Sequence, residues 1–370
     1  MRIPLFTLNY GVEEERALRE VLRSRWISMG PRVQEFESGF AGAHGAAHGI
    51  AVANCTVALH VALRGLNVGP GDEVVVPSLT FVATAASVLA AGATPVFADI
   101  VSPDDWTMDP SDLERVITPS TKAIIPMHYG GHGADMVKIC EIARQHNLIV
   151  IEDACHAPFG IRSGLRLGSL GHAACYSFYS NKNLSTGEGG MVITSDDELA
   201  VRLRRLRSHG LTTSAYERHM GREFYDVVEY GYNYRMDDIH AALGLVQMRK
   251  WPKEAASRVR VVNRYRRNLL GQPDIHVPFA SHDGSPGLHI FGVLIGDGKR
   301  NRVRQRLAEQ EIETSMHYPP VHQFACFRTY ARKLPVTEEV GAAELSLPLH
   351  GRLTNAQIDE VCEKLLESLE

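Results

Sequence analysis

Residues 148–157 read Leu-Ile-Val-Ile-Glu-Asp-Ala-Cys-His-Ala, and residues 173–190 read Ala-Ala-Cys-Tyr-Ser-Phe-Tyr-Ser-Asn-Lys-Asn-Leu-Ser-Thr-Gly-Glu-Gly-Gly. Each stretch opens with a continuous apolar run, which is typical of a strand buried on both faces. Each run then gives way to polar side chains, Glu152 and Asp153 in the first and Lys182 in the second. Ligands of parallel sheets bind beyond the carboxyl ends of the strands. We therefore expect these side chains to mark the functional edge of a parallel sheet.

Similar apolar runs lie on both sides of these two stretches. The predicted strands are His48–Ala53, Glu73–Pro77, Thr94–Phe97, Ala123–Met127, Leu148–Glu152, Ala173–Phe178 and Gly190–Thr194. The predicted helices between them include Cys55–Arg64, Val82–Ala91 and Met136–His146. Alternation of this kind predicts an α/β fold with a mostly parallel sheet.

The pattern changes near Trp251-Pro252. A helix over Asp237–Lys250 is predicted to end there, and Pro252 is predicted to begin a second helix over Lys253–Leu270. The elements predicted beyond it are a strand at His289–Ile295, a helix at Arg302–Gln310 and a last helix from Asn355. We expect a large α/β domain over residues 1–250 and a smaller α+β domain over residues 251–370.

Composition limits the kinds of partner. The net charge of −4 argues against a nucleic-acid-binding surface, so a site for a phosphate must be local. The six cysteines include no C-x-x-C pair, which is typical of a reduced, cytoplasmic protein. No signal peptide is evident, and the uncharged run Thr80–Ala98 contains Pro95 and is better explained by a buried helix and strand than by a membrane span.

Two histidine pairs have the i, i+4 spacing of metal ligands, His44 with His48 and His128 with His132. Both lie in glycine-rich segments that we do not expect to be helical, so no metal site is predicted. The glycine motifs of dinucleotide-binding and P-loop proteins are absent from the sequence.

Lys182 stands apart from the other seven lysines, which lie in charged helical or loop settings. It follows a predicted strand among small polar residues and glycines, where a partly desolvated amine can form an imine with an aldehyde. Asp153 ends another strand, where a carboxylate can pair with a protonated ring nitrogen of a cofactor. The alternatives are a loop lysine above a glycine turn and an aspartate that only caps the next helix.

Two further strand ends carry groups suited to binding. Asn54-Cys55-Thr56 separates a strand from a helix, so backbone N–H groups and a hydroxyl can face an anion. Phe81 follows the strand that ends at Pro77 and can stack on a flat ring, or it can belong to the core.

Along the chain these elements follow the order phosphate loop, aromatic residue, acid and lysine. Their order and their sequences resemble those of the sugar aminotransferases of the DegT/StrS type, which are fold type I pyridoxal-phosphate enzymes. The resemblance covers nearly the whole chain. The segments that carry it are Ser24–Pro31, Pro77–Thr84, Ala91–Asp99, His128–Gly131, Glu152–Ala154, the lysine segment, Gly231–Met236, Met316–His322 and Leu345–Pro348.

The resemblance implies a role for each matching residue and an aspartate-aminotransferase-like fold. Lys182 matches the Schiff-base lysine and Asp153 the partner of the ring nitrogen. The other implied cofactor contacts are Cys55, Thr56, Phe81, His156, Ser177 and Asn233, of which Asn233 would reach the partner subunit's cofactor in a homodimer. The implied substrate contacts are Trp26, Ser28, Arg235, His317, Tyr318 and His322.

The implied activity is transfer of an amino group, with glutamate as the expected donor and with pyridoxamine phosphate as the intermediate form of the cofactor. The lysine segment is most similar to that of perosamine synthases, so we expect a nucleotide-linked keto-sugar aminated at carbon 4. A keto-cyclitol or another ketone is the alternative substrate, because a fold does not fix a substrate. A non-catalytic regulatory protein on the same scaffold is the remaining alternative.

Overall fold

The computed structural model describes residues 3–222 and 224–370. Its helices are α1 (Val12–Ser24), α2 (Pro31–His44), α3 (Cys55–Gly65), α4 (Ala83–Ala90), α5 (Pro110–Val116), α6 (Met136–Gln145), α7 (Asp197–Arg207), α8 (Ala215–His219), α9 (Asp238–Leu269), α10 (Arg300–Glu309), α11 (Pro335–Ala343) and α12 (Asn355–Glu367). Its strands are β1 (His48–Val52), β2 (Glu73–Pro77), β3 (Thr94–Ala98), β4 (Ile100–Ser102), β5 (Asp105–Met108), β6 (Thr121–Ile124), β7 (Ile149–Asp153), β8 (Ile161–Arg162), β9 (Leu165–Arg166), β10 (Ala173–Ser177), β11 (Gly190–Thr194), β12 (Ile275–His276), β13 (Phe291–Ile295) and β14 (Glu344–Leu347).

The seven predicted strands of the first two-thirds form one central sheet among the described residues. Their order is β1-β11-β10-β7-β6-β2-β3. Strands β10, β7, β6, β2 and β3 run parallel, and β11 is antiparallel to both of its neighbours. Helices cover both faces, which explains why the strands are apolar along their whole length. The predicted α/β architecture is confirmed.

A smaller antiparallel sheet, β12-β13-β14, packs with α10, α12 and the second half of α9 around a core of its own. Ile3, near the start of the chain, belongs to this core and pairs with Ile312. The α+β character predicted for the C-terminal region is therefore present, and it includes a short N-terminal segment. The division at residue 250 stays a prediction.

The prediction of two helices meeting at Trp251-Pro252 was wrong. Helix α9 runs without a break through Pro252. A proline inside a helix removes one hydrogen bond and costs about 3 kcal/mol. Packing on both sides offsets this cost, because Ala241 lies in the core of the large sheet and Tyr265 lies in the core of the small sheet.

The glycine-rich segment before His44 is helical, contrary to expectation, since α2 ends at that residue. His48 lies in β1 and its ring contacts Asp197, while His128 contacts Glu152. The part of the chain that the structure describes has no group of three or more His, Cys, Asp or Glu side chains suited to a metal ion. It also has no helix long and apolar enough to cross a bilayer.

Candidate active site

The carboxyl edge of the central sheet brings the predicted acid, lysine and phosphate loop together. Asp153 ends β7, and Ser177 ends the neighbouring strand β10. The charges of Asp153 and Lys182 both act on the Cys155 thiol, whose pKa is raised well above its usual value mainly by burial. The same two charges act on Cys55 at the start of α3, and burial raises the pKa of its thiol as well.

Asp153 is 2% exposed, so its carboxylate is almost fully withdrawn from water. One carboxylate oxygen accepts a hydrogen bond from Thr84 Oγ1 at 2.8 Å, and the other accepts one from the Cys155 N–H at 3.2 Å. No helix follows Asp153, because residues 154–160 form turns. The alternative that Asp153 only caps a helix is therefore wrong.

Lys182 lies half-buried above the sheet, and His289 holds its amine. Lys182 Nζ lies 3.4 Å from His289 Nε2. The opposite ring nitrogen of His289 lies 3.3 Å from Asn183 Oδ1, which only accepts, so Nδ1 carries the proton and Nε2 accepts from the lysine. Burial and the nearby lysine hold the pKa of His289 well below its usual value, so its ring is neutral.

His156 is buried beside this pair, with its ring centre 4.4 Å from that of His289. Its Nδ1 accepts from the Gly130 N–H at 3.3 Å, which leaves the proton on Nε2, 3.0 Å from the Tyr318 hydroxyl. Its pKa is also far below the usual value because of burial and Lys182. A neutral imidazole and a phenol thus face the same space as the lysine.

Phe81 is 51% exposed and contacts Tyr318, with ring centres 5.8 Å apart. The alternative that Phe81 belongs to the core is wrong, and its face is accessible to a flat ligand. Tyr318 follows His317, whose pKa is lowered to about 4 by burial and by the charge of Lys182. The structure therefore brings two of the predicted substrate contacts, His317 and Tyr318, next to Lys182, His156 and His289, which together form the cluster around Lys182.

The phosphate loop has the geometry expected of an anion site. The side chain of Asn54 caps α3 by accepting from the Val57 N–H, and the first N–H groups of a helix have no partner within it. Gly190 packs against this loop so closely that a β-carbon there would lie 2.5 Å from the Asn54 carbonyl. The loop, the exposed Phe81, the buried Asp153 and the Lys182 amine together fit pyridoxal phosphate, the cofactor that the resemblance implies.

Two further predicted substrate contacts, Trp26 and His322, pack against other residues of the described chain. Trp26 packs against Tyr216 and His219, and Ser28 is exposed. His322 is buried, with its Nδ1 atom 2.7 Å from Ser78 Oγ and its Nε2 atom 3.5 Å from Glu338. Their substrate roles stay predictions.

Asn233 and Arg235 lie on a segment between β1 and the end of α7. Asn233 is exposed and its backbone bridges to Ser208, whereas Arg235 bridges to Val52. Helix α9 is capped by Asp237, which accepts from the His240 N–H at 2.9 Å. The alternative that Asn233 caps this helix is therefore wrong.

Sequence reasoning missed Thr84 and His289, which contact Asp153 and Lys182, and it missed Glu344, whose carboxyl group accepts the His317 N–H at 2.8 Å. Thr84 lies inside the quoted Pro77–Thr84 segment, where its distance of 69 residues from Asp153 concealed the contact. His289 stands just before β13, and Glu344 opens β14, so only their position at strand starts could have drawn attention to them.

Comparison with known proteins agrees with this geometry. Residues 9–366 match the model of the DegT/DnrJ/EryC1/StrS aminotransferase family. GDP-perosamine synthase from Caulobacter vibrioides is 41% identical over 96% of this chain and 95% of its own length. DesV from S. venezuelae, solved in complex with a ketimine intermediate, is 36% identical with a TM-score of 0.92 over 100% of this chain and 99% of its own. PseC from Helicobacter pylori, an aminotransferase involved in the biosynthesis of pseudoaminic acid, is 26% identical with a TM-score of 0.94 over the same shares. The chain therefore belongs to the DegT/DnrJ/EryC1/StrS aminotransferase family and is a pyridoxal-phosphate-dependent aminotransferase.

Proposed function

We propose that this aminotransferase moves an amino group from glutamate to carbon 4 of a nucleotide-linked keto-sugar. The observation that carries the proposal is the likeness to GDP-perosamine synthase, which spans 362 residues including the segment around Lys182. The polar groups that face the cluster, among them Tyr318 and the neutral rings of His156 and His289, suit a hydroxylated substrate.

In this proposal Lys182 would hold the cofactor, and its amine, once freed, would take and return the proton at the donor carbon. Bound pyridoxal phosphate supplies an electron sink for the charge that develops at that carbon. Asp153 keeps the ring nitrogen protonated, and its burial makes this interaction strong. Thr84 orients the Asp153 carboxylate, and His289 orients the Lys182 amine through its unprotonated nitrogen. Because donor and sugar use one pocket in turn, ping-pong kinetics are expected.

A panel of acceptors tests the substrate. The purified enzyme is incubated with ¹⁵N-glutamate and with 4-keto-6-deoxy sugars linked to different nucleotides, with a keto-cyclitol as the contrasting acceptor. We expect ¹⁵N at carbon 4 of one nucleotide sugar and formation of one equivalent of 2-oxoglutarate. Amination of the cyclitol without amination of any nucleotide sugar would overturn the proposal.

We also propose a homodimer in which Asn233 serves the partner subunit's cofactor. Asn233 is exposed, and Asp237 takes the place of the cap on α9, the helix that follows it in the described chain. The segment before it carries exposed apolar side chains, including Phe224 at 90% and Tyr230 at 85% exposure, and a second copy of the chain would cover them.

The six cysteines are all unpaired, which supports a reducing, cytoplasmic location.

Mixing two inactive variants, Lys182→Ala and Asn233→Asp, tests the shared site. If sites are shared, a mixed dimer contains one doubly damaged site and one site with both residues intact, so activity partly returns. Differently tagged subunits verify that exchange has taken place. If the exchanged mixture stays inactive, Asn233 serves its own subunit and the proposal is wrong.

A further inference from the structure

A chain of three polar groups leads from the small sheet to the cluster around Lys182. Ser346 Oγ lies 2.5 Å from Glu344 Oε1 and 2.8 Å from His317 Nδ1. The second carboxyl oxygen of Glu344 accepts the backbone N–H of His317 at 2.8 Å. The Nε2 atom of His317 has no partner among the residues described, and the ring lines a cavity of about 30 Å³ together with Asn181 and His289.

The fold shields this chain from water. Glu344 and Ser346 stand two residues apart on β14, so both point to the same face, and each is 1% exposed. Gly292 on the neighbouring strand leaves room for the carboxyl group, because a β-carbon there would lie 3.1 Å from Glu344 Oε1 and 2.7 Å from Trp106. The three hydrogen bonds are therefore isolated from competing water.

Several groups act on the charge of Glu344. Arg300 of α10 favours the ionised form of Glu344. The charge of that form in turn helps to raise the pKa of the Tyr129 and Tyr318 phenols, although burial is the main cause. Burial is stronger than the favourable contacts and raises the pKa of Glu344 to about 8, so the carboxyl group is mostly protonated at neutral pH. His317 faces Lys182, and the charge of a protonated His317 ring would also help to lower the pKa of His156 and His289. With its pKa lowered to about 4, His317 carries a single ring proton.

The state of Glu344 decides where that ring proton lies. A protonated Glu344 donates to Ser346, and Ser346 then donates to His317 Nδ1, so the ring proton must be on Nε2. An ionised Glu344 accepts from Ser346, and Ser346 then accepts from Nδ1–H, so Nε2 is left as an acceptor. We propose that Glu344 and Ser346 form a proton relay that sets the tautomer of His317 and thereby makes its Nε2 atom a donor or an acceptor toward the reaction site.

The relay suits a site that must serve two different substrates, and this use of it rests on the proposed function. A ketone oxygen needs a donor, and on leaving as water it needs a proton. When Nε2 gives up its proton, Nδ1 takes the hydroxyl proton of Ser346, and Ser346 takes the carboxyl proton of Glu344. One proton is thus delivered, His317 stays neutral, and Glu344 becomes the carboxylate. Glu344 and Ser346 act through His317 and are positioning residues.

Nitrogen NMR of the holoenzyme with ¹⁵N-labelled histidine tests the relay, because the ¹⁵N shifts of an imidazole distinguish its tautomers. The His317 signals are assigned by their loss in His317→Asn. In the unaltered protein we expect the ratio of Nε2–H to Nδ1–H forms to change from about 10:1 at pH 7 to about 1:10 at pH 9, as follows from a Glu344 pKa of about 8. In Glu344→Gln the amide oxygen can accept the His317 N–H, which leaves the NH₂ group to donate to Ser346, so this variant should hold the Nε2–H form throughout this range.

Ser346→Ala provides a second test in which the carboxyl group is kept. It breaks the connection, so the His317 tautomer should no longer follow pH. Ser368→Ala is the matched control, because Ser368 is an equally buried serine of the same region whose hydroxyl donates to the Lys364 carbonyl outside the site. It should titrate like the unaltered protein.

A pH-independent tautomer in the unaltered protein would overturn the proposal, and so would an unchanged switch in Glu344→Gln or Ser346→Ala. The NMR titration uses no sugar. Failure of the acceptor panel would therefore overturn the substrate assignment and leave the relay intact. Failure of the titration would overturn the relay and leave the substrate assignment intact.

Discussion

Replacing the Asp153 carboxylate with an amide should reduce turnover while leaving the cofactor bound. The variant Asp153→Asn keeps an oxygen for the Cys155 N–H and a polar contact for Thr84, so the local fold should be maintained. An ion pair at about 3 Å contributes about 1.4 kcal/mol in water but about 5 kcal/mol at an effective dielectric constant of about 20. Because Asp153 is 2% exposed, the larger figure applies. It corresponds to a loss of about 10³- to 10⁴-fold in rate.

Stopped-flow absorbance with glutamate alone measures this loss in the donor half-reaction, and the absorbance before mixing reports whether the cofactor is bound. The matched control is Asp196→Asn, in which the altered side chain caps α7 by accepting from the Leu199 N–H at 2.9 Å, away from the site. The control should retain its rate. A rate within tenfold of normal in Asp153→Asn, with the cofactor bound, would refute the reasoning, because it would show that a buried charge at this place is not needed.

Three other predictions follow from the same geometry. Borohydride should fix the cofactor to Lys182 and not to Lys250, whose amine is held by Glu14; peptide mass mapping that finds the adduct elsewhere contradicts the assignment. Phe81→Ala should weaken cofactor binding in a titration followed by absorbance, yet it should lower the free energy of unfolding by only about 1 kcal/mol, because only half of the side chain is buried. Glu152→Gln should lower that free energy by about 3 kcal/mol or more, since the carboxylate accepts three backbone N–H groups and contacts His128, and an amide nitrogen leaves donors unpaired. The effect of these bonds on the pKa of Glu152 is larger than that of burial, so the pKa is lowered. The stabilisation is therefore present above about pH 4.5 and is lost as pH falls further. Denaturant melts of the variant that show no loss of stability at pH 7 contradict this account.

The sequence by itself determined the strands of the central sheet and the residues that follow them. Each such strand is a short apolar run, and burial on both faces leaves this pattern in the local sequence. Asp153 and Lys182 could be singled out because they stand where apolar runs end, and the ends of parallel strands meet at one edge whatever the loops do. The resemblance could assign their roles because it rests on residues in a fixed order along the chain.

Only the tertiary structure decided which partners hold these side chains. His289 lies 107 residues from the lysine whose amine it contacts, and Glu344 lies 27 residues from His317, whose backbone N–H it accepts. No local pattern encodes such pairs, because each depends on how the small sheet packs against the large one. The same holds for helix α9, whose local pattern predicted a break at Pro252. Cores at both ends of the helix stabilise it by more than the one hydrogen bond that the proline removes.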